Sequence, residues 1–295
     1  MKKLVRIIQA PIFNILPDKL YLQIHYRLCV GKHLNINNPK TFSEKLQWLK
    51  LYDRKESYIK MVDKYEAKKY VAKMIGDKYI VPTLGVWDNV EQIDWDNLPN
   101  QFVLKCTHDS GGLVICKDKA SFDIDMAKER LNRSLKNDYY LRGREWPYKN
   151  VKRKIIAEKY LNISKDDKLN VSDLADYKFF CFSGQPSFCQ VILDRSVDET
   201  IDFFDMEWKK CAFSGLAAQN EVFAHSKKYI PEPKNFEKMK YFSSILSKDI
   251  PFSRIDFYEV DGKLYFGEIT LYPASGFGEF SPVEWNEKIG DMITL

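Results

Sequence analysis

The chain has 295 residues, 45% of them hydrophobic and 29% charged, with 13 Gly and 12 Pro. That balance belongs to a folded chain with a sizeable core and excludes disordered, collagen-like and low-complexity classes. The net charge of +5 is too small to demand a nucleic-acid partner.

The charge is uneven. Residues 1–80 hold 17 Lys/Arg against 7 Asp/Glu, a net of +10, so the rest of the chain carries −5. A basic front end suits an anionic membrane surface or an anionic substrate. Residues 1–16, MKKLVRIIQAPIFNIL, place Leu4, Ile7, Ile8, Ile12 and Phe13 among basic residues. Such a segment either rests on a membrane surface or packs on its own domain. Arg6, Gln9, Pro11 and Asn14 interrupt it, which is unlike a signal peptide, and no apolar run approaches the ~18 residues of a membrane span. Pro17-Asp18 opens a helix that closes at Gly31, and Thr41 precedes a second helix with Leu46, Leu49 and Leu51 apolar. The pattern over 57–75 predicts one long helix ending at Gly76.

Strands follow. Residues 101–106 (QFVLKC) and 113–116 read as strands around a glycine-containing loop, 107–112, and residues 123–136 as a helix. Further strands are expected at 154–161, 176–183 and 187–193, the last two joined by a turn at Gly184-Gln185-Pro186. A helix over 233–248 leads to strands at 253–260 and 263–270 around Asp261-Gly262, a strong hairpin signal. A short helix over 282–290 closes an α+β chain. The six cysteines form no C-x-x-C pair, and the four histidines lack zinc spacing, which points to reduced thiols in a cytoplasmic protein.

Three places carry unusual chemistry. In the hairpin, Arg254 and Asp256 alternate on one strand and Glu268 and Thr270 on the other. A two-residue loop would put the two acids on opposite faces, whereas a three-residue loop, 261–263, would pair them. Paired carboxylates about 4 Å apart repel by ~4 kcal/mol at an effective dielectric near 20, so they call for a cation such as Mg²⁺. An edge hairpin with solvated acids is the alternative. Second, Lys105 ends an apolar strand ahead of Ser110, Gly111 and Gly112, where backbone N–H groups can approach phosphate and lysine adds a point charge. Third, Glu158 interrupts the apolar strand IIAEKYL, whose backbone at Lys159, Tyr160 and Leu161 can offer a donor and an acceptor to a planar ring. Two D-x-D triplets, Asp94-Trp95-Asp96 and Asp123-Ile124-Asp125, keep a metal-dependent glycosyltransferase as a rival.

The order of these features, a lysine with a glycine loop, then apolar-Glu-Lys-Tyr-Leu, then R-x-D followed by G-x-L-Y-F-G-E-x-T, resembles the ATP-grasp superfamily. The segments NPKTFSEKLQWLK (38–50), DKY (63–65) and EITLYPASGFG (268–278) resemble its TupA-like branch, associated with bacterial exopolysaccharide, capsule and teichuronopeptide biosynthesis. The resemblance implies a helical region over 1–76, a small lobe over 77–161 and a large lobe over 162–295, with ATP between the lobes. It implies that Lys105, and Lys64 before it, contact ATP, that Ser110, Gly111 and Gly112 cover the phosphates, and that Glu158 to Leu161 run beside adenine. Asp256 and Glu268 would be magnesium ligands. Thr270 stands where most of the superfamily has Asn, and a hydroxyl is the weaker ligand. Arg254 and Lys178 would contact the γ-phosphate or the acceptor. The implied activity is a Mg-ATP-dependent carboxylate–amine ligase acting on a sugar, uronate or amino acid in surface-polysaccharide synthesis; the basic, apolar-studded front end would hold such a cytoplasmic enzyme peripherally at the inner face of the membrane. A sugar kinase is the alternative within the same fold.

Overall fold

The computed structural model describes residues 11–162, 171, 173–217, 221 and 223–295. The basic segment at 1–10 lies outside the described residues. After a 3₁₀ turn, Pro11–Ile15, helix α1 (Asp18–Val30) ends at Gly31, whose φ of 79° lets its N–H return to the Arg27 carbonyl. Helix α2 (Phe42–Tyr52) begins with a capping box in which Thr41 and Glu44 satisfy each other's backbone N–H. The single helix expected over 57–75 is two, α3 (Glu56–Val62) and α4 (Glu66–Ile75). The break is made by Asp63, which turns to an extended conformation and accepts hydrogen bonds from the N–H groups of Tyr65 and Glu66 at 2.8 and 3.1 Å. A carboxylate that caps a new helix competes with continuation of the old one.

Next come β1 (Thr83–Trp87), β2 (Phe102–Cys106), β3 (Leu113–Cys116), α5 (Ile124–Lys136) and β4 (Ile155–Lys159). They are followed by β5 (Asp176–Phe182), β6 (Gln185–Leu193), β7 (Thr200–Phe204), β8 (Ser214–Ala217) and α6 (Phe236–Leu246). The chain ends with β9 (Phe252–Val260), β10 (Lys263–Thr270), β11 (Glu279–Ser281) and α7 (Trp285–Asp291). The β5–β6 turn is Ser183-Gly184, with φ of 47° and 85°, one place earlier than expected. Pro186 therefore falls inside β6, beside a register irregularity opposite Cys181.

Two compact units result, one of residues 55–140 and 147–162, the other of 1–54, 141–146 and 163–295. Their borders do not follow the divisions at 76 and 161. Lys68 of α4 ties that helix to the Val81 carbonyl and Thr83, and Lys50 of α2 ties the stretch around Gly143 to the larger unit.

The smaller unit is an antiparallel sheet in the order β1-β4-β2-β3. Strand alternation sends Phe102, Leu104, Cys106, Ile155 and Ala157 to one face, where they pack with Ala127 and Leu131 of α5. Val103, Lys105, Ile156 and Glu158 take the other face.

The larger unit is built on an antiparallel sheet in the order β10-β9-β5-β6-β7. One face carries Phe179, Ile255 and Phe257, with Phe179 packed against Phe236 of α6 at 5.8 Å between ring centroids. The second face is divided. Phe180, Phe203 and Phe252 stack with Phe42, Phe213 and Phe280 as an aromatic core. Further along the same strands and on the same face stand Asp176, Lys178, Gln190, Arg254 and Asp256. The rings exclude water and hold the strands in register, so the charges beyond them stand on a rigid surface.

Candidate active site

The charged end of this sheet depends on the register of β9 and β10. Val260 pairs with Lys263, so the turn is the two-residue Asp261-Gly262, with φ of 51° and 71°. That register alone would set Asp256 opposite Gly267. A bulge at Gly267 inserts one extra residue, and beyond it Glu268 pairs with Asp256 and Thr270 with Arg254. The two acids are side by side, but through a bulge and not through the three-residue loop. A Cβ on Gly267 would lie 3.1 Å from the Asp256 carbonyl oxygen, so the glycine suits a tight place. A glycine inside a strand pattern was the sequence signal for this bulge.

Asp256 is 1% exposed and has both oxygens engaged. Arg254 grips it with two hydrogen bonds, Nε to Oδ1 and Nη2 to Oδ2, both 2.7 Å. Lys178, its neighbour across the pairing with β5, donates to Oδ2 from the other side. Burial pushes the Asp256 carboxyl up, against the pull of Arg254 and Lys178. Burial would also lower the Arg254 guanidinium, but Asp256 and Glu268 hold it above its ordinary value. Arg254 Nη2 also lies 3.2 Å from Glu268 Oε1 and 3.1 Å from Thr270 Oγ1. Three oxygens from Asp256, Glu268 and Thr270 thus converge on one cationic nitrogen. This donor set is hard, anionic and all-oxygen, which fits Mg²⁺. Among the described residues no group of three or more His, Cys, Asp or Glu forms a metal cage. Mg²⁺ needs none, because it is held by one or two carboxylates with phosphates and water.

Sequence reasoning missed a third carboxylate on this face. Asp176 opens β5, is 4% exposed, and has Arg195 at 2.6 Å and Lys178 at 3.8 Å from Oδ2. Its signal was the D-x-K alternation at the strand start, matching the R-x-D of β9. All seven positions of β5 are buried, so no polar–apolar alternation drew notice.

In the smaller unit Lys105 reaches Glu158 Oε2 at 2.5 Å, and Lys68 reaches Oε1 at 2.6 Å. Burial alone would raise the Glu158 carboxyl, but the two lysines bring it down to about 2. Burial lowers the Lys68 ammonium, against the pull of Glu158. The helical lysine beside Lys105 is therefore Lys68, which sequence reasoning passed over. Lys64, one turn earlier, donates to the backbone oxygen of Asp109. The glycine loop closes on itself: Asp109 Oδ1 accepts from the N–H groups of Gly111 and Gly112 at 3.4 and 3.2 Å, while Ser134 donates to Oδ2. Ser110 and Gly111 are exposed at its tip. The Lys159 N–H is taken by the Pro82 carbonyl at 2.9 Å, and half-buried Tyr160 and Leu161 follow the strand. Leu113 and Ile115 share the open face with Lys105, 39% and 45% exposed, and form an apolar strip beside the lysines.

The D-x-D triplets have local duties. Asp123 caps α5 by accepting from the Met126 N–H, and Asp94 binds Asn97. They lose their force as a glycosyltransferase signature.

The smaller unit sets Lys68 of α4 beside Lys105 of its sheet, and the larger unit sets paired carboxylates beside an arginine. Residues 44–294 match the family described as TupA-like ATPgrasp, and the chain belongs to that family. The fold is accordingly ATP-grasp, α+β with helices at its front, and ATP-grasp enzymes use ATP with Mg²⁺. No curated protein matches the chain. Among solved structures, D-alanine–D-alanine ligase from Bacillus anthracis, complexed with ATP, is 16% identical over 72% of this chain and 53% of its own, with a TM-score of 0.38. The Helicobacter pylori D-alanine–D-alanine ligase is 15% identical over 87% and 70%, with a TM-score of 0.42. An ADP complex of N5-carboxyaminoimidazole ribonucleotide synthetase is 14% identical over 78% and 50%, with a TM-score of 0.43. The chain thus spans about half the length of the first of these, 53%.

Proposed function

We propose that the protein is a Mg-ATP-dependent carboxylate–amine ligase that modifies a sugar, uronate or amino acid in bacterial surface-polysaccharide biosynthesis. The observation that carries the reading is the pairing of Asp256 with Glu268, with Arg254 and Lys178 against them. In this reading Asp256 and Glu268 hold Mg²⁺, with Thr270 beside them. Lys105 holds the nucleotide phosphates, Lys68 beside it fixes Glu158, and the strip of Leu113 and Ile115 offers an apolar surface to the base. Bound ATP with Mg²⁺ supplies the phosphoryl group that converts a carboxylate into an acyl phosphate. Arg254 then plays a second part, since its guanidinium, released from the carboxylates, faces the charge that develops on the transferred group. Lys178 stays on Asp256 and keeps that carboxylate ionised and oriented. The polysaccharide setting rests on the family resemblance.

An acyl phosphate is electrophilic and hydroxylamine intercepts it. Incubating the protein with Mg-ATP, hydroxylamine and a panel of uronic acids and amino acids is expected to yield hydroxamate together with ADP. A phosphorylated sugar, with no hydroxamate from any acid that stimulates ATP turnover, would move the assignment to a kinase.

The reading also places the enzyme at the inner membrane face as a peripheral protein. Ile12 and Ile15 support this, being 69% and 81% exposed beside a basic sequence. Among the described residues no helix is long and apolar enough to cross a membrane.

A further inference from the structure

The pairing of Asp256 with Glu268 hangs on one residue. From the turn the register runs through Tyr258 with Tyr265 and Phe257 with Phe266, and the next pair is Asp256 with Glu268. Gly267 is left over, so Gly267 and Glu268 both stand against Asp256. Had the register of the turn continued, Glu268 would fall opposite Ile255. Its side chain would then turn to the face that carries Phe179, Ile255 and Phe257. One slipped residue would thus dismantle the carboxylate pair.

Little in the ladder itself prevents the slip. β10 is the outer strand of the five-stranded sheet and pairs with β9 alone. A glycine inside a strand weakens it, having no side chain to pack. What stands over Gly267 is Tyr258. A Cβ built on Gly267 would lie 3.1 Å from Tyr258 Cε2 and 3.1 Å from the Asp256 carbonyl oxygen. The edge of the ring therefore takes the room that any larger residue would need, and the backbone of β9 closes it from beneath. An aromatic ring laid across a glycine of an outer strand supplies the missing packing and pins the register. Tyr258 is half-buried and alternates with Arg254 and Asp256 on the same face of β9. Asp176, and burial after it, hold the Tyr258 phenol well above its ordinary value, so the ring stays uncharged beside the carboxylates.

We propose that Tyr258 is a positioning residue: its ring, seated on Gly267, holds the bulge where it sets Glu268 beside Asp256. Tyr258 acts through the glycine and needs no contact with a metal. The pairing is a property of the fold, whereas its service to Mg²⁺ rests on the ligase reading.

Cross-strand nuclear Overhauser contacts of the full chain, without metal or nucleotide, report the pairing. Tyr258→Phe keeps the ring and is expected to keep the Asp256–Glu268 contacts. Tyr258→Ala is expected to lose them while retaining the Phe257–Phe266 and Phe179–Ile255 contacts, which shows the sheet intact. In the second readout, electron paramagnetic resonance of Mn²⁺ with ADP, Tyr258→Ala should bind about tenfold more weakly and Tyr258→Phe like the parent. Retained Asp256–Glu268 contacts in folded Tyr258→Ala would overturn the proposal, and so would equal loss in Tyr258→Phe, which would assign the effect to the hydroxyl. Should Tyr258→Ala fail to fold, Gly267→Ala decides. Its methyl group is expected to displace the Tyr258 ring resonances and the Asp256–Glu268 contacts together. Unchanged pairing, or lost pairing with the ring resonances unmoved, would overturn the proposal. The metal reading is judged separately. Lost pairing with Mn²⁺ bound as before removes the paired acids from the metal site and leaves the positioning role standing, while retained pairing removes that role whatever the metal does.

Discussion

Lys68 and Lys105 both touch Glu158, yet they differ in burial, and the difference separates a folding role from a binding role. The Lys68 side chain is 10% exposed, and it also donates to the Val81 carbonyl at 2.7 Å and Thr83 at 3.1 Å. The Lys105 side chain is 27% exposed and therefore reaches the surface, where a ligand can meet it. Replacing Lys68 with Met leaves a nearly buried carboxylate short of one partner and a backbone carbonyl without its lysine. Breaking a buried pair in this way costs ~3 kcal/mol or more. The acid limb supplies a second measure. Glu158 falls from an ordinary 4.5 to about 2 in the fold, which corresponds to ~3 kcal/mol at ~1.36 kcal/mol per pH unit. A depressed carboxylate contributes its stability in full above 4.5 and loses it as pH falls toward about 2. Urea titration at pH 7, read by hydrogen exchange of the β2 and β4 amides, is expected to show Lys68→Met less stable than the parent by ~3 kcal/mol. Its loss of stability on acidification should also be smaller. Lys105→Met also takes a partner from Glu158 but leaves no backbone carbonyl without its lysine, so it should cost less stability than Lys68→Met, and it should weaken ATP binding by ~1.5–3 kcal/mol, the worth of a charge-assisted hydrogen bond. If calorimetry found ATP affinity unchanged in Lys105→Met while Lys68→Met lost under ~1 kcal/mol, the assignment of these lysines would be refuted.

Two further outcomes are expected. Glu268→Gln should abolish carboxylate-dependent ADP formation while leaving the fold intact, because that side chain is 47% exposed and its main role in this reading is to hold the metal; full turnover would remove the metal site from the reading. The chain should float with liposomes containing anionic lipid in a salt-sensitive way, and Ile12→Asp with Ile15→Asp should abolish this. Flotation that does not depend on those residues would make the segment structural.

The paired acids could be read from the sequence because they alternate with apolar neighbours on two strands joined by Asp261-Gly262. The loop length could not settle their pairing, since one bulge residue has the same effect on register as one extra loop residue. Lys64 and Lys68 are four apart, so helical periodicity puts them on one face and cannot say which reaches Glu158. That choice belongs to the Asp63 break, which starts α4 at Glu66 and brings Lys68 to Val81. Asp176 was hidden because β5 is buried along its whole length, and a strand covered on both faces carries no period-two pattern. β7, β8 and β11, of five, four and three residues, were not anticipated.

The two sequence segments most particular to the family, 38–50 and 268–278, lie over 200 residues apart and are one joint in space. Gln47 donates to the carbonyls of Gly276 and Ser275 at 2.6 and 3.3 Å. Lys50, fully buried, donates to the Ser275 and Gly143 carbonyls, each at 2.7 Å, and to Ser275 Oγ at 3.3 Å. Burial brings the Lys50 ammonium down to about 7, against the pull of Glu145. Three acceptors nevertheless match the three N–H bonds of an ammonium, where a neutral amine offers only two. The Phe277 ring, 4.6 Å from Nζ, adds a face that favours positive charge. Glu145 joins by accepting from Ser275 Oγ at 2.7 Å. What this joint holds is strained: Ala274 and Ser275 both adopt left-handed conformations, φ of 49° and 50°, of a kind that costs ~1–3 kcal/mol at a non-glycine residue. The turn begins three residues after Thr270, so the strand bearing Glu268 runs directly into it. A free loop there would let the end of β10 fray, whereas a buried lysine, a glutamine and a strained turn fix its direction. The helical front of the chain is in this way tied to the end of the strand that carries Glu268.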